Sequence, residues 1–286
     1  MLRFLSRNVP SHAAVLFRGA LPMRPESLAR LESRGIAITR LPNAAEAYWA
    51  LALDHPQWGS AEVVAPRERL PDLDEVIGVS RSLTDAEKQQ ALATGHALRV
   101  RCDATRSLVL RDRKNLLRFV REVMGDDSPC ALDTSSQLFW PRASLDDELA
   151  HDSDLDVSSV HCLHAVTDED RSVSWLHSHG LAEMGAFDFD ILRPDASLTG
   201  PAQDGLRALA LAILEGSCGP SEAAFRLAHP GGDFQAQPQW RNFMSKELLA
   251  HYALKEGLEV LRQEPVDWVG DGSLIDCFSL LRRPAA

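Results

Sequence analysis

The stretch Thr84-Asp85-Ala86-Glu87-Lys88-Gln89-Gln90-Ala91-Leu92-Ala93-Thr94-Gly95-His96-Ala97-Leu98-Arg99-Val100-Arg101-Cys102 decides the fold class. Thr84 and Glu87 have the spacing of a capping box, in which a hydroxyl and a carboxylate satisfy the free N–H groups of a first helical turn. Gly95 is the expected stop. Beyond it the period changes from helical to alternating, with Leu98, Val100 and Cys102 on one side of a strand over 96–102. A capped helix running directly into a half-buried strand is the pattern of a chain that packs helices on a sheet.

The same order of elements extends on both sides. Upstream, 12–17 reads as a short apolar strand, and 25–32 as a helix begun by Pro25, with Leu28 and Leu31 at helical spacing and Gly35 as its stop. A strand over 36–41 follows, and 49–53 and 61–64 read as a hairpin around Pro56-Gln57-Trp58-Gly59, with Trp49 at the end of a short helix as the other reading. Downstream, 112–124 is an amphipathic helix with Leu116, Leu117, Val120, Val123 and Met124 on its apolar side and Gly125 as its stop, followed by a strand over 130–140. The class is therefore α/β or α+β, a mixed sheet with helices packed on it.

At 286 residues the chain is long enough for two lobes, which the pattern places at 1–142 and 157–286. Between them 143–156 reads as an acidic linker carrying Asp146, Asp147, Glu148, Asp152, Asp154 and Asp156. Val157 stands where a calcium loop needs glycine, which removes that reading. The second lobe opens with a strand over 157–166 and an acidic turn over 167–171. A strand ending at 179 and an alternating run over 187–191 follow. Helices are expected over 204–215, 221–228 and 245–256, and closing strands over 258–262 and 273–281.

Composition narrows the function. With 45% apolar and 25% charged residues the chain is an ordinary globular protein. No apolar run approaches the roughly 20 residues of a membrane span, and the start, Met1-Leu2-Arg3-Phe4-Leu5-Ser6-Arg7, lacks the apolar core of a signal peptide. The expected compartment is the cytoplasm, without a membrane partner. Five cysteines with no C-x-x-C pair suit free thiols in a reducing compartment. A formal net charge of −11 repels a phosphate backbone, so nucleic acid is not expected and a basic protein partner is.

Chemistry concentrates in Val173-Ser174-Trp175-Leu176-His177-Ser178-His179-Gly180. On a strand Trp175, His177 and His179 share one face, so both imidazoles sit where an apolar face meets an edge or cleft. Two neutral imidazoles with a carboxylate are a zinc ligand set, and Asp190, or Asp188, lies on the next strand to complete it. Glu183 in the intervening loop is then the candidate general base for a metal-activated water. The other reading is a pair of hydrogen-bonded structural histidines beside a wet strand face. His161 and His164, three apart on the expected strand, point to opposite faces and read as core histidines. No G-x-S-x-G elbow, P-loop or dinucleotide fingerprint is present, and Cys162 reads as a buried thiol unsuited to nucleophilic attack.

Two resemblances attach to these residues. Trp175-Leu176-His177-Ser178-His179, with Asp190 beyond, resembles the signature of the JAMM (MPN+) metalloproteases, with Gly180 in place of the family's proline and Phe187 in place of its serine. It implies a metal held by His177, His179 and Asp190. A broader succession runs through Ala131-Leu132-Asp133-Thr134-Ser135-Ser136-Gln137, then Val160-His161-Cys162-Leu163-His164-Ala165-Val166, then Trp175-Leu176-His177-Ser178-His179-Gly180-Leu181. Over roughly 98–192 it resembles a bacterial family of unknown function with a W-L-H-T-H-G-L motif. That resemblance implies a cytoplasmic accessory or immunity-like role. The leading expectation is therefore a non-catalytic binding protein with no cofactor, contacting its partner or ligand through Trp175, His177 and His179. The alternative is a metal-dependent hydrolase holding Zn²⁺.

Overall fold

The computed structural model describes residues 8–17, 25–42, 47–67, 73–105, 108–126, 128–134, 136–167, 173–180, 189–192, 207, 210–211, 225–229, 232–238 and 278–282. The chain divides into two compact units, Asn8–Asp156 and a second that holds Val157–Ala286.

Among the described residues of the first unit, seven strands form one sheet: β1 (Asn8–Phe17), β2 (Ala37–Leu41), β3 (Ala47–His55), β4 (Gly59–Pro66), β5 (His96–Thr105), β6 (Cys130–Asp133) and β7 (Leu138–Pro141). Their order is β2-β3-β4-β5-β1-β6-β7, antiparallel throughout. Five helices accompany them: α1 (Pro25–Ser33), α2 (Leu73–Val79), α3 (Asp85–Leu92), α4 (Val109–Met124) and α5 (Arg142–Ala150). The expected class is thus the observed one, in its α+β form.

The centre of this unit is α4 on β5 and β1. Its apolar positions Leu116, Leu117, Phe119, Val120, Val123 and Met124 are all buried, each contributing roughly 1.5–3 kcal/mol of transfer free energy. Gly125 ends the helix at φ 54°, a conformation that costs glycine little. The β3–β4 hairpin is tied to the same helix: Trp58 meets Phe119 edge-on at 5.5 Å, and His55 stacks on Trp58 at 3.9 Å.

The capping box forms as expected, with Thr84 Oγ1 accepting from Glu87 N at 3.3 Å and Thr84 N donating to Glu87 Oε2 at 2.8 Å. The stop is different. The helix ends at Leu92 with Ala93 as its cap, and Thr94 Oγ1 donates to Ala91 O at 2.5 Å, so a hydroxyl rather than Gly95 closes it. Thr84→Ala is expected to lower stability by about 1 kcal/mol, read as a shift in the denaturant midpoint.

Two further differences have local causes. The expected strand over 130–140 is a hairpin, because Asp133 Oδ1 accepts from Ser136 N at 3.2 Å and Gln137 adopts φ 56°, turning the chain between β6 and β7. The acidic stretch 143–156 is fastened to α4. Leu145 and Leu155 are buried, and Lys114 Nζ donates to His151 O at 2.6 Å and Ser153 O at 2.7 Å. Arg121 pairs with Asp146 at 2.5 Å and Arg111 with Asp154 at 3.3 Å.

In the second unit, six strands among the described residues form a sheet: β8 (Cys162–Thr167), β9 (Val173–His179), β10 (Phe189–Leu192), β11 (Phe225–His229), β12 (Gly232–Pro238) and β13 (Phe278–Arg282). The order is β11-β12-β13-β10-β9-β8. β10 and β13 are parallel and the other pairs antiparallel, so this sheet is mixed.

The strand expected from 157 begins only at Cys162, since Val157–Ser159 form a 3-10 turn and Val160 N donates to Val157 O at 3.2 Å. The helix expected over 221–228 is overturned: Phe225–His229 is a strand paired with β12, Leu227 opposite Phe234. A short apolar run fits either period, and the cross-strand partner decided it. Arg207, Ala210 and Leu211 are helical within the expected 204–215. Of the acidic turn expected over 167–171 only Thr167 is described, as the end of β8; the rest of it, the helix over 245–256 and the strand over 258–262 lie outside the described residues. Among the described residues, no helix is long and apolar enough to cross a membrane.

Candidate functional site

The histidine motif occupies β9 and ends where Gly180 takes φ 115°. Its neighbours set what it faces. β8 runs antiparallel to it with Cys162 opposite His179, Leu163 opposite Ser178 and His164 opposite His177. On its other side β10 places Asp190 opposite His177, Ile191 opposite Leu176 and Leu192 opposite Trp175. Directly opposed residues share a face of the sheet. His164, His177 and Asp190 therefore form one transverse row over three neighbouring strands, continued by Ser279 opposite Asp190 on β13.

The structure brings together two of the three residues expected to hold a metal, His177 and Asp190. It sets His179 two residues along β9, opposite Cys162 and one step off the row, and Trp175 the same distance the other way. Glu183 and Asp188 lie outside the described residues. Sequence reasoning missed His164. On one strand through both, His161 and His164 would face opposite ways, but His161 precedes β8. The signal that would have found it is the register of the 162–179 hairpin, which from Cys162 to Val166 pairs positions whose numbers sum to 341.

At the C-terminal end of β9 the environment is interior. His161, Ser178, His179 and Gly180 are buried. Burial pushes the His179 imidazole down to about 3. Burial, then the neighbouring His179 and Arg207, pushes His161 down to about 4. Both rings are neutral at physiological pH. His161 Nε2 has no hydrogen-bond partner among the described residues. Among the described side chains, no three of His, Cys, Asp and Glu gather closely enough to hold a metal ion. The side chains of His164, His177 and Asp190 lie outside that set.

The first unit holds a second polar cluster, which sequence patterning did not suggest. Arg113, on α4, is fully buried; its Nη1 donates to Ser11 Oγ at 3.1 Å and its Nη2 to Asp133 Oδ2. Thr134 N and Oγ1 donate to His12 O at 3.3 and 3.2 Å. Burial lowers Arg113 to about 10, which still leaves it charged at neutral pH. The cluster ties α4, β1 and β6 together. The nearby thiols are poor nucleophiles, since burial pushes Cys102 and Cys130 up to about 12.

No protein-family model matches this chain, and no curated protein or solved structure matches it either.

Proposed function

We propose that the protein is a cytoplasmic, non-catalytic binding protein with an accessory or immunity-like role toward a basic protein partner. The observation that carries this reading is the anchored acidic segment of the first unit. Asp146, Asp147, Asp152, Asp154 and Asp156 are exposed, on backbone held in place by Lys114, Leu145 and Leu155. A surface whose backbone is already ordered loses less entropy on association. A net charge of −11 adds long-range steering of a cationic partner. The resemblance to the bacterial W-L-H-T-H-G-L family supports the accessory role.

The test compares the full chain with an Asp147→Asn/Asp152→Asn/Asp156→Asn variant in co-purification from the host at about 50 and 150 mM salt, where screening lengths differ. A stoichiometric basic protein is expected on the wild type at low salt and reduced at least about tenfold on the variant. No such partner at either salt, or equal capture by the variant, sinks the reading.

A metal-dependent hydrolase is the second reading, favoured by the register that opposes His177 to Asp190. In it His177, His179 and Asp190 hold Zn²⁺ and Glu183 acts as general base. Hydrolysis of a peptide or ester library that depends on added Zn²⁺ and disappears in Glu183→Gln would replace the binding proposal with this one.

A further inference from the structure

We propose that the outer edge of β2 is an interface between two copies of this chain, in which the two β2 strands pair antiparallel about Thr39. The inference stands apart from the reading of a basic partner, which rests on the acidic segment 146–156.

An open sheet edge is the first argument. Among the described residues nothing pairs with the outer side of β2, which ends the order β2-β3-β4-β5-β1-β6-β7. The opposite edge is closed: Phe139 N, on β7, donates to Ser82 Oγ at 3.2 Å, and Phe139, Trp140 and Pro141 are buried. On β2, by contrast, Ala37, Thr39 and Arg40 are exposed. The strand has no proline, lysine or bulge, devices that keep an edge from pairing with another chain, and Arg40 is its one charge.

Self-complementarity is the second. A two-fold axis at Thr39 sets Thr39 opposite its own copy, Ile38 opposite Arg40 and Ala37 opposite Leu41. No like charges are directly opposed, and a threonine pair is a favourable cross-strand contact. An isologous pairing of this kind closes at two copies.

Charge balance near the edge is the third. α1 packs beside β2. Glu26 and Glu32 on α1, with Asp54 opposite Ala37, are offset by Arg30, Arg34 and Arg40. A strongly basic segment finds no excess of acid here. A second copy, repelled at long range by the net charge of −11, meets a balanced edge. One pair of five-residue strands buries less than the about 1,200–2,000 Å² of a standard interface, so the dimer is weak and set by concentration. Salt strengthens it by screening the repulsion between two acidic chains, the opposite of the sign expected for a basic partner.

The full chain is sedimented from about 10 to about 500 μM, at about 50 and 500 mM NaCl. Wild type is expected to pass from monomer toward dimer as concentration rises, and at lower concentration in the higher salt. Thr39→Lys opposes like charges at the axis and should raise the dissociation constant about tenfold. Thr39→Cys reads the register, because directly opposed Cα atoms lie about 4.5–5.5 Å apart, within disulfide reach. The two copies of position 37 are instead roughly 14 Å apart. Under mild oxidation Thr39→Cys should therefore form a covalent dimer at least about tenfold faster than wild type or Ala37→Cys. Circular dichroism checks the folding of each variant, and Thr39→Cys, close to threonine in size, keeps the test open should the lysine variant unfold. A monomer at every concentration in both salts, a dimer equally strong in Thr39→Lys, or equal cross-linking of Thr39→Cys and Ala37→Cys overturns the proposal.

Discussion

Asp133→Ala is expected to cost about 3–5 kcal/mol, because it leaves the Arg113 guanidinium charged in the interior with its main partner gone. Arg113 and Asp133 are 3% and 2% exposed, so water cannot replace the lost carboxylate. The same carboxylate accepts from Ser136 N at 3.2 Å, and the β6–β7 turn loses that bond as well. Guanidinium unfolding of the full chain, followed by tryptophan fluorescence and circular dichroism, should show the transition of the first unit moving to lower denaturant. A change under about 1 kcal/mol would mean that the pair is not buried as described. The paired substitution Arg113→Met with Asp133→Leu removes both charges and should recover most of the loss, since a buried ion pair owes little net stability to its mutual attraction once desolvation is counted.

The second large effect is acid sensitivity of the second unit in chelator-treated protein. Burial, His179 and Arg207 hold His161 at about 4, against its ordinary 6.5. Between those values the unfolded chain binds the extra proton and the folded one does not. The contribution of the neutral imidazole is therefore intact above about pH 6.5 and is lost as pH falls toward 4. The gap corresponds to roughly 3 kcal/mol, approached with a slope of about 1.4 kcal/mol per pH unit. Carboxylates titrate in the same range, so the difference between wild type and His161→Gln isolates the effect. The wild type should lose about 2 kcal/mol more than the variant between pH 6.5 and 5. Parallel stability curves would show that His161 takes up its proton in the folded state as easily as in the unfolded one.

Much of the first unit was legible because its signals are local. A threonine and a glutamate three apart cap α3 whatever surrounds them, and the apolar stripe of α4 ends at a glycine with positive φ. The hairpin around Pro56-Gln57-Trp58-Gly59 likewise follows from two alternating runs and a turn. Where reading failed, the deciding partner was remote or unseen. The break in 130–140 depends on an Asp133 side chain bonding its own turn, and the strand at Phe225–His229 depends on β12 lying beside it. Nothing in the pattern of α4 announced that Arg113 and Lys114, two charges on a helix, would be buried. Their partners are Asp133, twenty residues on, and carbonyls about forty residues on.

The candidate site divides along the same line. Trp175, His177 and His179 share a face by the two-residue period of any strand, and Asp190 stands on the next strand by the alternation around it. These are properties of the chain itself. The opposition of His164 to His177 and of His177 to Asp190, which makes a row of three, belongs to the tertiary structure. A strand's period says which residues share a face, but a slip of one residue against the neighbour exchanges every member of that face. Only the packed sheet, in which one face must collect the apolar residues, selects the register.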